Sequence, residues 1–388
     1  MDFNLTEDQV AFRDAAHAFA VNELAPNAAH WDAEHIFPID VIRAAGEMGF
    51  CGLYTPESLG GMGLSRLDAS IIIEELAAGC TSTTAYITIH NMVTWMIASF
   101  AADELAQAWV PDLATGVKLG SYCLTEPNAG SDAASLRTSA RLEGDTYVLN
   151  GSKMFISGAG STDVLLVMAR TGDAQSGAKG ISAFLVPAQS EGIIYGKAEE
   201  KMGWNSQPTR LITFDNVRIP ASHLLGQEGD GFKIAMKGLD GGRINIATCS
   251  LGAAHAALIT SRNYMHERKQ FGKTLADFQA LQFKVAEMAT QLTAARQMVR
   301  LAAFKLDQKD PEASLHCAMA KQFATDACFN VCNEAIQLHG GYGYIREYPL
   351  ERYMRDARVH QILEGTNEIM RLIVARRVLE EGVLEAIQ

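Results

Sequence analysis

Apolar residues in the first part of the chain recur at steps of three and four, most clearly from Val10 to Leu24 and from Val41 to Leu53. That spacing predicts helices with one buried face. Gly60-Gly61-Met62-Gly63 interrupts the pattern, which resumes from Ile71 to Ala78. The stretch from Leu76 to Ala102 carries no Lys, Arg, Asp or Glu. Its many Thr and Ser residues and the central His90-Asn91 pair fit a helix buried inside a soluble protein better than a membrane span, which needs about 20 mostly apolar residues.

The texture changes near Lys118. Short alternating or continuous apolar runs at Ser139–Leu142, Thr146–Leu149, Lys153–Ile156, Val164–Ala169, Ile181–Val186 and Arg210–Phe214 read as strands. Gly144-Asp145 and Asn150-Gly151 read as tight turns between the first three, because both turn positions tolerate positive φ. Strands clustered without intervening helices predict an antiparallel unit and not a doubly wound sheet. Helical spacing returns at about Gly231 and continues through Gln279–Leu306, Ser314–Leu338 and Asn367–Leu379. The expected fold is therefore mainly α with a central β domain: helical over 1–117, β over 118–230, helical over 231–388.

The 388 residues carry a formal charge of −12, which argues against broad binding of nucleic-acid phosphates. Seven scattered cysteines form no CxxC pair, so neither a disulfide framework nor a zinc site is expected, and a reducing compartment fits. Met1-Asp2 is followed by a helix start at Leu5-Thr6-Glu7, with no basic apolar leader. The chain has no GxGxxG after a strand, no phosphate loop of the P-loop kind, no metal-ligand set and no GxSxG.

What remains is less direct. The segment from Tyr122 to Asp132 leaves a strand through Pro127 and Gly130 and presents hydroxyls and backbone N–H groups suited to a heterocycle edge. Phe155-Ile156-Ser157-Gly158 ends the neighbouring strand and fits either a ligand contact or core packing. Arg268-Lys269-Gln270-Phe271-Gly272 places a fork donor suited to pyrophosphate between two helices. Gln337-Leu338-His339-Gly340-Gly341 closes a helix with two glycines, as a cap or as a place where a ligand meets backbone. Glu364 stands between Leu363 and Gly365, just before a last helix for which Thr366 is an N-cap. A carboxylate there can be held at the positive end of the helix, although on residues alone an exposed loop glutamate is the plainer account.

Together these segments, with Gly60-Gly61-Met62-Gly63, Asp240-Gly241-Gly242-Arg243 and Met354-Arg355-Asp356-Ala357-Arg358, resemble the acyl-CoA dehydrogenase family over essentially the whole chain. The resemblance implies an N-terminal helical domain, an antiparallel β domain and a C-terminal four-helix bundle, with FAD as cofactor. The stretches Gly203–Arg210, Gly238–His255 and Gln361–Gly365 are most similar to family members acting on isobutyryl-CoA in valine breakdown. Leu363 and Phe155 stand where many relatives have Tyr and Trp. Isovaleryl-type members carry their base one residue before the arginine equivalent to Arg243; here that residue is Gly242, so the resemblance gives the role of base to Glu364.

Carried onto this chain, the resemblance implies flavin contacts from Tyr122, Leu124, Thr125, Gly130 and Ser131, with Phe155, Ile156 and Ser157 at the ring. Arg268, Gln270, Phe271, Phe278, Gln279, Gln337, Gly340 and Gly341 would hold the pyrophosphate and adenosine half, partly across a subunit boundary, and Thr366, Asn367 and Glu368 would add to it. Ser131, Asp240, Gly242, Arg243 and Leu363 are expected at the acyl-CoA. The implied reaction is α,β-dehydrogenation of isobutyryl-CoA to methacrylyl-CoA, with butyryl- or 2-methylbutyryl-CoA as alternative substrates and a non-catalytic flavin- or CoA-binding scaffold as the alternative of another kind. A homotetramer, electron-transferring flavoprotein as acceptor, and a bacterial cytoplasmic or mature mitochondrial matrix setting are also implied, with no nucleic acid and no membrane.

Overall fold

The computed structural model describes residues 4–173 and 175–386; Met1 and Asp2, where the absence of a leader was read, lie outside them. The first helices are α1 (Glu7–Phe19), α2 (Ala28–Glu34), α3 (Ile39–Glu47), α4 (Arg66–Gly79), α5 (Thr81–Phe100) and α6 (Asp103–Ala114). α1 starts at a capping box in which Thr6 accepts from Gln9 N–H and the Gln9 side chain accepts from Thr6 N–H. α5 is the charge-free stretch, and it is buried despite its polar residues because they bond locally. Thr88 and Thr94 hydroxyls return to helix carbonyls, and His90 donates from Nε2 to Leu113 O (2.8 Å) while Gly120 N–H donates to its Nδ1 (3.1 Å). Burial lowers the His90 pKa to about 4, so the ring is neutral and ties α6 to the first strand.

The central unit contains β1 (Gly120–Cys123), β2 (Ser139–Glu143), β3 (Thr146–Ser157), β4 (Val164–Arg170), β5 (Ile181–Pro187), β6 (Ile193–Ala198), β7 (Thr209–Pro220) and β8 (Leu224–Leu225). They form one sheet in the order β6-β7-β3-β2-β4-β5-β8, with β1 beside β4. Most pairs are antiparallel, but β1 runs parallel to β4, from Gly120 opposite Val164 to Cys123 opposite Val167. Gly144-Asp145 is the expected hairpin between β2 and β3. Asn150-Gly151 is not a hairpin: β3 runs on through Ser157, and its pairing with β7 slips between Leu149 and Gly151. The physical reason is a bulge at Gly151, whose φ of 144° brings it so close to Thr138 that a Cβ would lie 2.6 Å from the Thr138 Cα.

The remaining elements are α7 (Gly231–Glu267), β9 (Lys269–Gln270), β10 (Lys273–Thr274), α8 (Gln279–Asp307), α9 (Ala313–His339), α10 (Gly341–Tyr344), α11 (Leu350–Arg358), α12 (Asn367–Val378) and α13 (Val383–Ala386). α7, α8 and α9 pack through a core rich in alanine and cysteine, including Ala247, Ala254, Ala302, Ala320, Ala324 and Cys328. Small residues let these backbones come close. Met354–Arg358 locks three parts of the fold together. Arg355 makes a two-pronged pair with Asp32 (3.0 and 2.6 Å), and buried Asp356 accepts from Trp204 N–H (2.6 Å). Gly203 passes so close that a Cβ there would lie 2.5 Å from Arg355 O.

Candidate active site

Among the described residues seven non-glycine ones have positive φ, and Phe155, Trp204, Phe271 and Glu364 among them lie in segments singled out above. Backbone strain of this kind costs about 1–3 kcal/mol and persists only where the surroundings hold it. Glu364 (φ 54°) and Gly365 (φ 92°) form the bend between α11 and α12. α12 then opens with Thr366 accepting from Ile369 N–H, the N-cap read from the sequence.

The bend turns the Glu364 carboxylate onto α7. A Cβ added to Gly242 would sit 2.1 Å from Glu364 Oε2 and 2.8 Å from its Cδ, so the missing side chain at 242 is the space the carboxylate fills. Glu364 Oε2 is buried with no hydrogen-bond partner among the described residues. Burial pushes the Glu364 pKa up to about 7, against the opposing charges of Lys321 and Arg243. The Glu364 N–H, in turn, donates to no backbone acceptor among the described residues. A poised carboxylate and a free N–H therefore belong to one residue.

The surroundings are mixed. Tyr122, Tyr54 and Cys249 all lie within electrostatic reach of Glu364. Tyr122 Oη, Arg243 Nε and Arg66 Nη1 are also buried without hydrogen-bond partners among the described residues. Arg243 pairs with Asp240 (2.7 Å), and Asp240 accepts as well from Ser314 Oγ (2.5 Å). Arg66, which the sequence reading missed, is buried, and its guanidinium lies 3.4 Å from the centre of the Tyr54 ring. Leu363 is half-buried and packs on the N-terminal core.

The Tyr122–Ser131 loop and the end of β3 adjoin one another. Met154 N–H donates to Thr125 O (2.8 Å), and the wholly buried Lys153 reaches Leu124 O (2.9 Å) and Glu126 Oε1 (2.8 Å). Glu126 also accepts from the N–H groups of Arg137 and Thr138 (2.7 and 2.8 Å). Burial would raise the Glu126 pKa, but Lys153 and these donors outweigh it and hold it below the usual carboxylate range. The clamp leaves Gly130 and Ser131 exposed, and Phe155 presents its ring to the outside at 62% exposure. Ile156 turns inward, and Ser157 O accepts from Ser121 Oγ (2.7 Å).

Arg268, Gln270, Gln337, Gly340 and Gly341 come together around a cavity of about 670 Å³, with Tyr264, Leu281, His339 and Tyr342 as further walls. A Cβ at Gly340 or Gly341 would meet nothing within 4 Å, so the cavity edge is open at both; at Gly340 the backbone itself, at φ 59° and ψ −133°, favours glycine. Phe271 is 92% exposed and meets Phe278 edge-on, while Gln279 begins α8 on the surface. Among the described residues no hydrogen bond, ion pair or ring contact joins this second group to Tyr122 or Phe155. Asn367 spends its side chain within the fold, accepting from Lys321 Nζ and donating to Thr325 Oγ1 and Asp326 Oδ1; Glu368 is exposed.

The site thus joins a buried carboxylate oxygen without a partner among the described residues to a nearby loop that offers hydroxyls, and a separate cavity is edged by Arg268. Family models for the acyl-CoA dehydrogenase N-terminal, middle and C-terminal domains match residues 6–117, 121–217 and 229–379, and the chain belongs to that family. It is an acyl-CoA dehydrogenase with FAD as cofactor. The mitochondrial isobutyryl-CoA dehydrogenase of Bos taurus is 53% identical over 97% of this chain and 90% of its own. The Dictyostelium discoideum protein of the same name is 54% identical over the same shares. The solved butyryl-CoA dehydrogenase of Megasphaera elsdenii is 40% identical and superposes with a TM-score of 0.95 over 98% of this chain and all of its own.

Proposed function

We propose that this enzyme dehydrogenates a short branched acyl-CoA, isobutyryl-CoA to methacrylyl-CoA, with Glu364 as the base. The observation that carries the mechanism is the buried, unpaired Glu364 Oε2 seated over Gly242. The acyl preference rests on the 53–54% identity to two isobutyryl-CoA dehydrogenases, against 40% to the butyryl enzyme.

When bound, FAD supplies the acceptor for the hydride that leaves the β carbon. The chain supplies the rest. A thioester α C–H is a weak acid, so a glutamate with ordinary aqueous basicity abstracts its proton poorly. Removing water from Glu364 raises its basicity towards neutrality, near the working pH. The Glu364 N–H, which has no backbone acceptor among the described residues, would donate to the thioester oxygen as negative charge gathers there. One such donor is worth on the order of 10²–10³ in rate. The α proton then resides on the Glu364 carboxyl until product leaves, and a C=C bond replaces the two broken C–H bonds.

In this proposal Tyr122, Leu124, Thr125, Gly130, Ser131, Phe155 and Ser157 face the flavin ring, held by the Lys153–Glu126 clamp, with the Ile156 side chain packed in the core behind them. Arg268, Gln270, Gln337, Gly340 and Gly341 hold its pyrophosphate and adenosine end, with Phe271, Phe278, Gln279, Thr366 and Glu368 at the margins. The separation of the two groups within one chain fits a flavin shared between subunits, as a homotetramer would provide. Asp240 and Arg243 meet the CoA arm, and Leu363 flanks the acyl group. Electron-transferring flavoprotein is the proposed acceptor, and the bacterial cytoplasm or the mitochondrial matrix the proposed setting; seven buried, unpaired cysteines suit either.

The test is anaerobic flavin bleaching by isobutyryl-, butyryl- and 2-methylbutyryl-CoA. Fastest bleaching at limiting concentration is expected with isobutyryl-CoA, and a higher kcat/KM for butyryl-CoA would overturn the acyl assignment. 2-Methylbutyryl-CoA is larger than isobutyryl-CoA by one methylene, worth about 1–3 kcal/mol, so the expected preference over it is roughly 10–200-fold.

A further inference from the structure

Lys321 stands on α9 with no exposed surface, on a buried face made mostly of alanine and cysteine. A buried ammonium is costly unless its donors are used. Lys321 Nζ donates to Gly365 O (2.8 Å) and to Asn367 Oδ1 (2.9 Å), the two residues that immediately follow Glu364 and Thr366. Asn367 is fixed in turn by Thr325 Oγ1 (2.9 Å) and Asp326 Oδ1 (2.7 Å), both from α9. One lysine thus grips the carbonyl on the far side of the bend that carries Glu364. Glu364 holds φ at 54°, a conformation that a non-glycine residue keeps only when its neighbours impose it.

We infer that Lys321 is a positioning residue for the dehydrogenation: its ammonium holds the Gly365 carbonyl, and so fixes both the carboxylate and the N–H of Glu364, while its charge favours the ionised base. This rests on Glu364 being that base. The grip and the charge act together. If Gly365 O were released, the bend would relax towards ordinary backbone and Glu364 would swing off Gly242. If the charge were lost, burial would act on Glu364 with less opposition. Lys321 is the first of the two cations that oppose that burial, ahead of Arg243. The charged groups facing Lys321 are Glu364 from the bend, Glu368 from α12, Arg243 from α7 and Asp326 on its own helix. Burial draws Lys321 itself down to about 8, so its proton is held less firmly than that of a surface lysine.

The experiment uses the FAD-loaded enzyme and its Lys321→Met and Lys321→Gln variants, with kcat, KM and the pH profile of kcat/KM measured on isobutyryl-CoA. Lys321→Met is expected to lower kcat about 10²-fold, the cost of misplacing a catalytic group by roughly 1 Å, with little change in KM. Its acid limb should move up by about one pH unit, since an opposite charge nearby shifts a carboxylate by about 1–3. Lys321→Gln keeps a donor without the charge; it should recover part of kcat but none of the shift in the limb. A Lys321→Met enzyme with kcat within about twofold of wild type and an unmoved limb overturns the proposal. Should neither variant load FAD, the wild type decides: a second fall in kcat/KM near pH 8 supports the proposal, and a flat profile through that region overturns it. Glu364→Gln separates the two claims. If it keeps turnover, the base is misassigned; if it is inactive while Lys321→Met is unaffected, only the role of Lys321 fails.

Discussion

Gly242→Ala is the smallest change that reads the position of the catalytic carboxylate. The added methyl would lie 2.1 Å from Glu364 Oε2, 2.8 Å from Cδ and 3.1 Å from Oε1. Carbon–oxygen contacts settle a little beyond 3 Å, so the carboxylate must retreat by about 1 Å, a displacement that typically costs on the order of 10²-fold in rate. The helix itself gains from the change. Gly242 lies inside α7 without positive φ, and alanine is favoured over glycine there by about 1 kcal/mol. The expected variant therefore binds FAD, melts no lower than wild type, and turns over isobutyryl-CoA about 10²-fold more slowly with KM little changed. Flavin absorbance, thermal unfolding and steady-state kinetics measure the three terms. A variant with wild-type kcat would show that Glu364 does not work from over residue 242.

Further outcomes follow from the buried charges. Because Glu364 must be ionised to take a proton, kcat/KM should rise through about pH 7. Its raised folded-state pKa also means that Glu364 costs the fold nothing below its ordinary 4.5 and most above 7; Glu364→Gln should match wild-type stability in acid and exceed it in base by at most about 3 kcal/mol, read from melting curves at several pH values. Lys153→Met leaves the Glu126 charge uncompensated inside the flavin loop, a loss of roughly 3–5 kcal/mol, and should shed FAD on gel filtration. Adding Glu126→Gln should restore part of the stability, and a Lys153→Met protein that keeps its flavin and its melting point would refute the clamp.

The helical–β–helical order was legible because hydrophobic period changes from three or four to two and back. Asn150-Gly151 misled because the dipeptide that favours a hairpin also accommodates a bulge, and only the partner strand β7 decides between them. Glu364 was legible as a position but not as an environment: its partnerless oxygen depends on Gly242, more than a hundred residues earlier in the chain. Lys321 and Lys153 passed unnoticed, though each left a trace. Lys321 falls on the helical stripe of Cys317, Ala324 and Cys328, and Lys153 shares strand parity with buried Tyr147 and Leu149. A lysine on an apolar face implies a buried partner, but its identity is a tertiary fact. Arg66 left no such mark, since its setting is made by Tyr54 and Trp95 from separate segments.

The central claim is that Glu364 removes the α proton. It is tested most directly by mixing Glu364→Gln, loaded with FAD, with isobutyryl-CoA in the absence of oxygen and following the flavin absorbance. The expected protein binds FAD and acyl-CoA as the wild type does yet stays yellow. Bleaching at a rate near that of the wild type would contradict it.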